Sequence, residues 1–211
     1  MATIYLASRS PRRRELLAQI GVKFEHVLFR GDPRLDLDTN EDPLPGELPD
    51  AYVRRVTSMK ARAGWNRVTQ RKGQARMPVL AADTTVALAN EILGKPVDRD
   101  DAIRMLRLLS GTRHVVLTAV ALTYEGKLQL AMSETFVTFA PLDEARILAY
   151  VDTGEPFDKA GAYGIQGRAG AFVQRIEGSY TGVVGLPLFE TYELLKSFGV
   201  IDTATQKHGH G

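Results

Sequence analysis

Cysteine is missing altogether from these 211 residues, which excludes disulfides, thiolate metal sites and a cysteine nucleophile, and suits a reducing compartment. Histidine is scarce too: outside the C-terminal tail only His26 and His114 occur, so a Ser-His-Asp triad has few possible members. There is no Gly-x-x-x-x-Gly-Lys-Ser/Thr phosphate loop, no Gly-x-Ser-x-Gly elbow and no His-Glu-x-x-His helix. Neither sign of charge dominates. The 27 Lys and Arg nearly balance 25 Asp and Glu, so no global positive field points to a nucleic-acid backbone, and any anion binding must be local. No apolar run approaches the ~18 residues of a membrane span. The start, Met-Ala-Thr-Ile-Tyr-Leu-Ala-Ser, lacks the basic residues and apolar length of a secretory signal, so a cytoplasmic location is expected.

What is present is enough to build a core: 44% of the residues are hydrophobic, in a chain long enough for one domain or two small lobes. Residues 1–200 are expected to form the folded unit and 201–211, polar and without periodicity, a flexible tail whose His208 and His210 belong to no motif.

Ile4 to Ala7 reads as a strand, Ser8 to Ser10 as a loop, and Arg12 to Ile20 as a helix with Leu16, Leu17 and Ile20 on one side. Pro11 suits the first helical turn and Ser10 is placed to cap it. Phe24 to Phe29 resembles a second strand, and Gly31 to Pro49 a long acidic, proline-containing loop. Ala51 to about Trp65 is helical. Pro78 to Leu88 is an apolar strand interrupted by Asp83-Thr84-Thr85. Asp98, followed by Asp101, caps a helix to Leu109. His114 to Tyr124 and Gln129 to Ala140 form paired strands about Glu125-Gly126, and Asp143 to Val151 a helix. Glycines recur from Gly154 to Gly170 in a loop composition that permits close approach to a ligand. A strand over Ala171 to Ile176, a glycine-containing turn and a helix from Pro187 through Leu195 complete an α/β pattern.

Two places carry candidate chemistry. In Ser8-Arg9-Ser10-Pro11-Arg12-Arg13, hydroxyls, backbone N–H groups and guanidiniums meet where a helix begins, and all three favour phosphate. Basic residues in a first helical turn oppose the helix dipole, which also points to a bound anion; a capped helix with a solvated basic face accounts for the same residues. Asp83, in a buried strand, must be paired, protonated or metal-bound, and can cap, hold a cation or activate water. Lys60, on a helix, and Lys95, in Gly94-Lys95-Pro96, are alone no more than surface lysines. Glu155, Asp158 and Lys159 suit either an ion-pair network or a Mg²⁺-nucleotide site. The residues themselves support an α/β protein with a phosphate site.

Six segments, in order and spanning residues 4 to about 198, resemble the motifs of the Maf family: Ser8 to Arg13, Ala82-Asp83-Thr84, Gly94-Lys95-Pro96, Ser110-Gly111, Asp158 to Tyr163, and Gly185-Leu186-Pro187. The resemblance implies an elongated, ITPase-like α/β fold: a mixed sheet with flanking helices, in two lobes around a central cleft. It also implies cleavage of a nucleoside triphosphate to monophosphate and pyrophosphate, dependent on a divalent metal, Mg²⁺ or Mn²⁺, and a homodimer. By the same resemblance Asp83 is the proton acceptor and Arg12, Arg13, Lys60 and Lys95 match basic residues around the phosphates, while Ser8 and Ser10 remain phosphate-binding candidates from the loop itself. Glu155, Asp158 and Lys159 fall to the metal or to a loop that closes the site.

Arg12, Thr84 and Gln166 resemble the dTTP/UTP branch of that family, whereas the 7-methyl-GTP branch resembles Trp, Gln and Glu there. A Gln amide both donates and accepts, matching the imide face of uracil and thymine. The chain departs from the family pattern in its acidic loop, where Asp36, Asp38, Glu41 and Asp42 stand for one expected metal acid, and in Met59-Lys60-Ala61, where Glu-Lys-Ala is commoner. The competing expectation is a non-catalytic nucleotide-binding regulator of cell division.

Overall fold

A computed structural model describes residues 3–27, 41–71, 73 and 75–201. Asp36, Asp38 and the tail from Asp202, with His208 and His210, lie outside them. Seven strands form one sheet: β1 (Thr3–Leu6), β2 (Lys23–His26), β3 (Val79–Leu88), β4 (Glu91–Leu93), β5 (Arg113–Tyr124), β6 (Lys127–Phe139) and β7 (Val173–Glu177). The order is β2-β1-β3-β5-β6-β7, with β4 on the free edge of β3. β1 pairs in parallel with β2 and β3, and every other pairing is antiparallel, so the chain is a mixed α/β fold.

Among the described residues six α-helices flank the sheet: α1 (Pro11–Gln19), α2 (Pro49–Gln70), α3 (Arg99–Leu109), α4 (Glu144–Val151), α5 (Tyr180–Val184) and α6 (Leu188–Ser197). Alternation along the strands sorts them onto two faces. Tyr5, Ala7, Val79 and Ala81 pack with Ala61 and Val68 of α2. Ile4, Leu6, Leu80 and Ala82 pack with Leu16 and Leu17 of α1 and Leu194 and Leu195 of α6. Farther along the second face, Val86, Val116 and Val137 meet α3, α4 and residues 160 to 173 in another cluster.

β3 therefore runs out of one apolar cluster at Ala82 and into another at Val86. Between them on that face lies a row of hydroxyls: Thr84, Thr118 and Ser133 are partners in register across β3, β5 and β6.

The strand pairings of β3 leave a second gap. On one edge β5 accompanies it from Val79 to Ala87, but on the other β1 pairs only at Val79 and Leu80, and β4 only from Val86. The carbonyls of Pro78 and Leu80 accept from β1 and from Ala7. By strand alternation the N–H and C=O of Ala82 and Thr84 face the same way, with no partner among the described residues.

Several elements differ from the sequence expectation. α2 continues five residues past Trp65, because Gly64 is a point of contact and not a stop: a Cβ there would lie 2.9 Å from Val79 Cγ1 and 3.1 Å from the Ala7 Cβ. The strand expected from Ala171 starts at Val173, since Arg168–Phe172 is a 3₁₀ turn. The glycine-containing turn before Pro187 holds a short helix, α5, capped by Ser179 Oγ, which accepts from Gly182 N at 3.0 Å. β4, folded back from β3 about Ala89-Asn90, was not foreseen. Ile201, assigned to the tail, packs against the α1–α6 cluster.

Candidate active site

A cleft of about 1350 Å³ opens where β1 and β4 leave β3 uncovered. Ser8 and Ser10 line it from the β1–α1 loop, Arg12 and Arg13 from the first turn of α1, and Lys60 from α2. Asp83 and Thr84 line it from β3, Lys95 from the turn after β4, and Glu155, Asp158, Lys159 and Gln166 from the glycine-rich loop. The described candidates of the phosphate, catalytic, specificity and glycine-rich-loop sets thus border one space.

Asp83 and Thr84 are neighbours in sequence but stand on opposite faces of the sheet. Asp83 turns to α2, where its Oδ1 accepts from Lys60 Nζ at 2.7 Å. Lys60 Nζ also lies 3.0 Å from Glu41 Oε2, so one ammonium joins two carboxylates. Glu41 is held there by its neighbours. The Tyr52 hydroxyl donates to the Glu41 carbonyl at 2.9 Å, and Arg55 Nη2 donates to the Asp42 carbonyl at 3.0 Å. Arg55 also grips both oxygens of Glu47, at 2.6 and 2.7 Å, fastening residues 41–48 onto α2. That fork holds the Glu47 carboxyl down at about 2. Burial, with the charges of Asp83 and Glu41, pushes the Tyr52 phenol up to about 12, so it stays a donor.

On the other face the Arg13 guanidinium is held by three bonds. Its Nε donates to the Gly185 carbonyl at 2.7 Å, Nη1 to Ser8 Oγ at 3.3 Å and Nη2 to Thr84 Oγ1 at 3.2 Å. No carboxylate pairs with it within 4.0 Å among the described residues, and burial lowers its pKa from the ordinary arginine value. An arginine forks five N–H donors, so one on each terminal nitrogen remains uncommitted. Ser10, expected to cap α1, makes no side-chain cap. Ser8 Oγ instead closes the loop ahead of the helix, accepting from Ser10 N at 3.2 Å as well as from Arg13. The loop spends its hydroxyl on orienting an arginine, which the sequence reading did not anticipate.

The glycine-rich loop supplies the third wall. Asp158 Oδ2 lies 3.8 Å from Arg12 Nη1, and Lys159 Nζ donates to the Asp158 carboxylate and, at 2.6 Å, to the Glu155 carbonyl. Partial burial pushes the Asp158 carboxyl up, but Lys159 and Arg12 outweigh it and the net shift is downward. Glu155 faces its own loop: Oε1 accepts from the Tyr150 hydroxyl at 3.0 Å and Oε2 from Arg168 N at 3.1 Å. Gly167 is needed for this, since a Cβ there would lie 2.1 Å from Glu155 Oε1. Lys95 and Gln166 are exposed along the cleft.

Among the described residues no group of three or more acids or histidines could by itself hold a metal ion. Asp83 and Glu41, brought to one lysine, are nonetheless the donor set Mg²⁺ uses, one or two carboxylates completed by substrate phosphates and water. Both acids fit that role, with Asp42 in the same lining. Sequence reasoning left Glu41 among four acids, quoted Gly185 in a motif without a role for its carbonyl, and missed Tyr52 and Thr118. A hydroxyl at position 118, amid Val115 to Val120, was the one signal for the last.

Residues 3–198 match the family model described as Maf, Maf-like protein. The chain belongs to the Maf family. Curated relatives of this Maf chain include the dTTP/UTP pyrophosphatase of Dechloromonas aromatica (strain RCB), 57% identical over 196 residues, 93% of this chain and 97% of that one. The dTTP/UTP pyrophosphatase of Aromatoleum aromaticum is 56% identical over 94% of this chain and 96% of its own, and that of Nitrosomonas europaea 54% identical over 93% and 95%. Among solved structures the Ham1 protein of Staphylococcus aureus aligns over 93% of this chain and 97% of its own, with 13% identity and a TM-score of 0.44.

Proposed function

We propose that this Maf-family protein hydrolyses dTTP and UTP to the monophosphate and pyrophosphate. The cleft carries the proposal: Arg13, Arg12, Lys95 and Lys159 border the same space as the Asp83–Lys60 pair, so a triphosphate and a proton acceptor share one site. Near-full-length relatives named dTTP/UTP pyrophosphatase support the same reaction.

Water attacks the phosphoryl group, its proton passes to Asp83, and the anhydride electron pair leaves on pyrophosphate. Asp83 Oδ1 is tied to Lys60, which leaves Oδ2 to take the proton. The uncommitted N–H groups of Arg13, with Lys60 and Lys95, offset the negative charge that builds on the leaving group. A divalent cation, Mg²⁺ or Mn²⁺, would be held by Asp83 and Glu41 and would polarise phosphate oxygens. Ser8 and Ser10 serve the phosphates through the loop they shape. Arg12, Thr84 and Gln166 set the preference for a pyrimidine: the exposed Gln166 amide reads the imide face, while Thr84 acts from beside Arg13.

A nucleotide panel with wild type and Asp83→Asn tests this. Pyrophosphate release is expected from dTTP and UTP faster than from CTP, GTP or 7-methyl-GTP. Asp83→Asn should lower kcat on the order of 10²-fold with little change in nucleotide binding. A shift in the metal requirement instead makes Asp83 chiefly a ligand. Nucleotide bound without turnover by the folded wild type would return the chain to the regulator reading.

A further inference from the structure

The row of hydroxyls beneath Arg13 has a direction. Thr118 Oγ1 lies 3.0 Å from Thr84 Oγ1 and 2.7 Å from the Gly182 carbonyl. A carbonyl only accepts, and threonine has one hydroxyl proton, so Thr118 donates to Gly182. Thr84 must then donate to Thr118, which turns its lone pairs to Arg13 Nη2 at 3.2 Å. Proton order thus runs from the guanidinium through two threonines to the backbone of α5. The same short segment closes the other side of the guanidinium, since the Gly185 carbonyl, just past α5, accepts from Arg13 Nε at 2.7 Å. Gly182 is seated closely enough for this by lacking a side chain: a Cβ there would come within 3.2 Å of Ser133 Oγ and of the Ser179 Cβ.

We propose that Thr118, which is 1% exposed on β5 and is absent from the cleft lining, is a positioning residue for the reaction. By fixing the hydroxyl orientation of Thr84 it keeps Nη2 of Arg13 in the plane set by Gly185 and Ser8, so that the two uncommitted N–H groups are presented together to the polyphosphate. A hydrocarbon at position 118 leaves Thr84 free to rotate and to point its proton at the guanidinium, which cannot accept it. The inference rests on the pyrophosphatase reading above.

The test is a double-mutant cycle on UTP hydrolysis with wild type, Thr118→Val, Arg13→Lys and the double variant, together with Thr118→Ser. Thr118→Val preserves shape and should lower kcat about tenfold while KM changes less than about threefold. Thr118→Ser should restore kcat to within about twofold, and in the Arg13→Lys background Thr118→Val should have almost no further effect. Multiplicative losses in the cycle, an unchanged kcat in Thr118→Val, or failure of serine to restore it overturns the proposal. Urea midpoints identify any variant that does not fold; should Thr118→Val be one, Thr118→Ala takes its place in the cycle under the same criteria. Absence of turnover in wild type counts against the pyrophosphatase reading, whereas turnover without coupling counts against Thr118 alone.

Discussion

Lys60 and Lys95 show how differently two lysines of one cleft are committed. Lys60 joins Asp83 at 2.7 Å to Glu41 at 3.0 Å, and its removal leaves two carboxylates facing each other without a cation. Lys60→Met should therefore reduce kcat/KM for UTP on the order of 10²-fold, and Lys60→Arg should recover only part of it, because a planar fork does not replace a point charge between two acids. Lys95 is exposed and has no ion pair among the described residues. Lys95→Ala should raise KM while leaving stability within about 0.5 kcal/mol of wild type. Steady-state kinetics and urea unfolding on the same preparations distinguish the two lysines. Equal KM effects with unchanged kcat would mean that Lys60 does no more than attract the nucleotide.

At the scale of elements, α2 matters most, since it carries Lys60 and clasps residues 41–48. Its seat on the sheet depends on Gly64 lying against Val79 and Ala7. Alanine favours a helix over glycine by about 1 kcal/mol, yet a methyl group 2.9 Å from a buried valine carbon overpacks the interface. Gly64→Ala should destabilise the protein by about 1–2 kcal/mol net, seen as a lowered urea midpoint with an unchanged slope. A stabilised variant would show that α2 shifts freely. The same glycine explains why the helix looked shorter in the sequence: a helix-weakening residue beside Trp65 reads as an end unless its partner strand is known. Elements with periodic apolar faces and side-chain caps, such as α3 behind Asp98 and α4 behind Asp143, were legible because their signals are local. α5 was not, being five residues whose contacts, Gly182 with Thr118 of β5 and the following Gly185 with Arg13 of α1, are with elements distant in sequence. The cleft residues were legible through the motif resemblance. The roles of Ser8 as a support for Arg13, and of Glu155 as a tie within its own loop, depend on contacts that spacing does not encode.

Across the whole molecule the apolar core is divided by polar groups, and one of its clusters contains a titratable ring. His114 is 2% exposed, edge-on to Phe139 and Tyr163, with Nε2 2.9 Å from the Tyr163 hydroxyl and Nδ1 without a partner among the described residues. Burial pushes the imidazole down to about 4 from 6.5. Between those values the unfolded chain binds a proton that the folded one refuses. Stability contributed by the neutral ring is thus complete above pH 6.5 and falls as pH drops, by roughly 3 kcal/mol once pH 4 is reached. Urea unfolding at pH 7.5 and 5 should show a loss in wild type that exceeds the loss in His114→Phe by about 2 kcal/mol. Equal losses would mean that the ring is hydrated or paired in solution.

The notch in β3 has a consequence for how the protein behaves among its own copies. A strand edge with unsatisfied N–H and C=O groups ordinarily invites another strand, and proteins blunt such edges to avoid aggregation. Here the groups of Ala82 and Thr84 lie recessed between β1 and β4, which cover the strand up to Leu80 and again from Val86. A foreign strand long enough to pair stably would collide with both neighbours, whereas a small molecule fits. The notch can leave hydrogen-bonding backbone open at the centre of the sheet without offering another strand a place to pair.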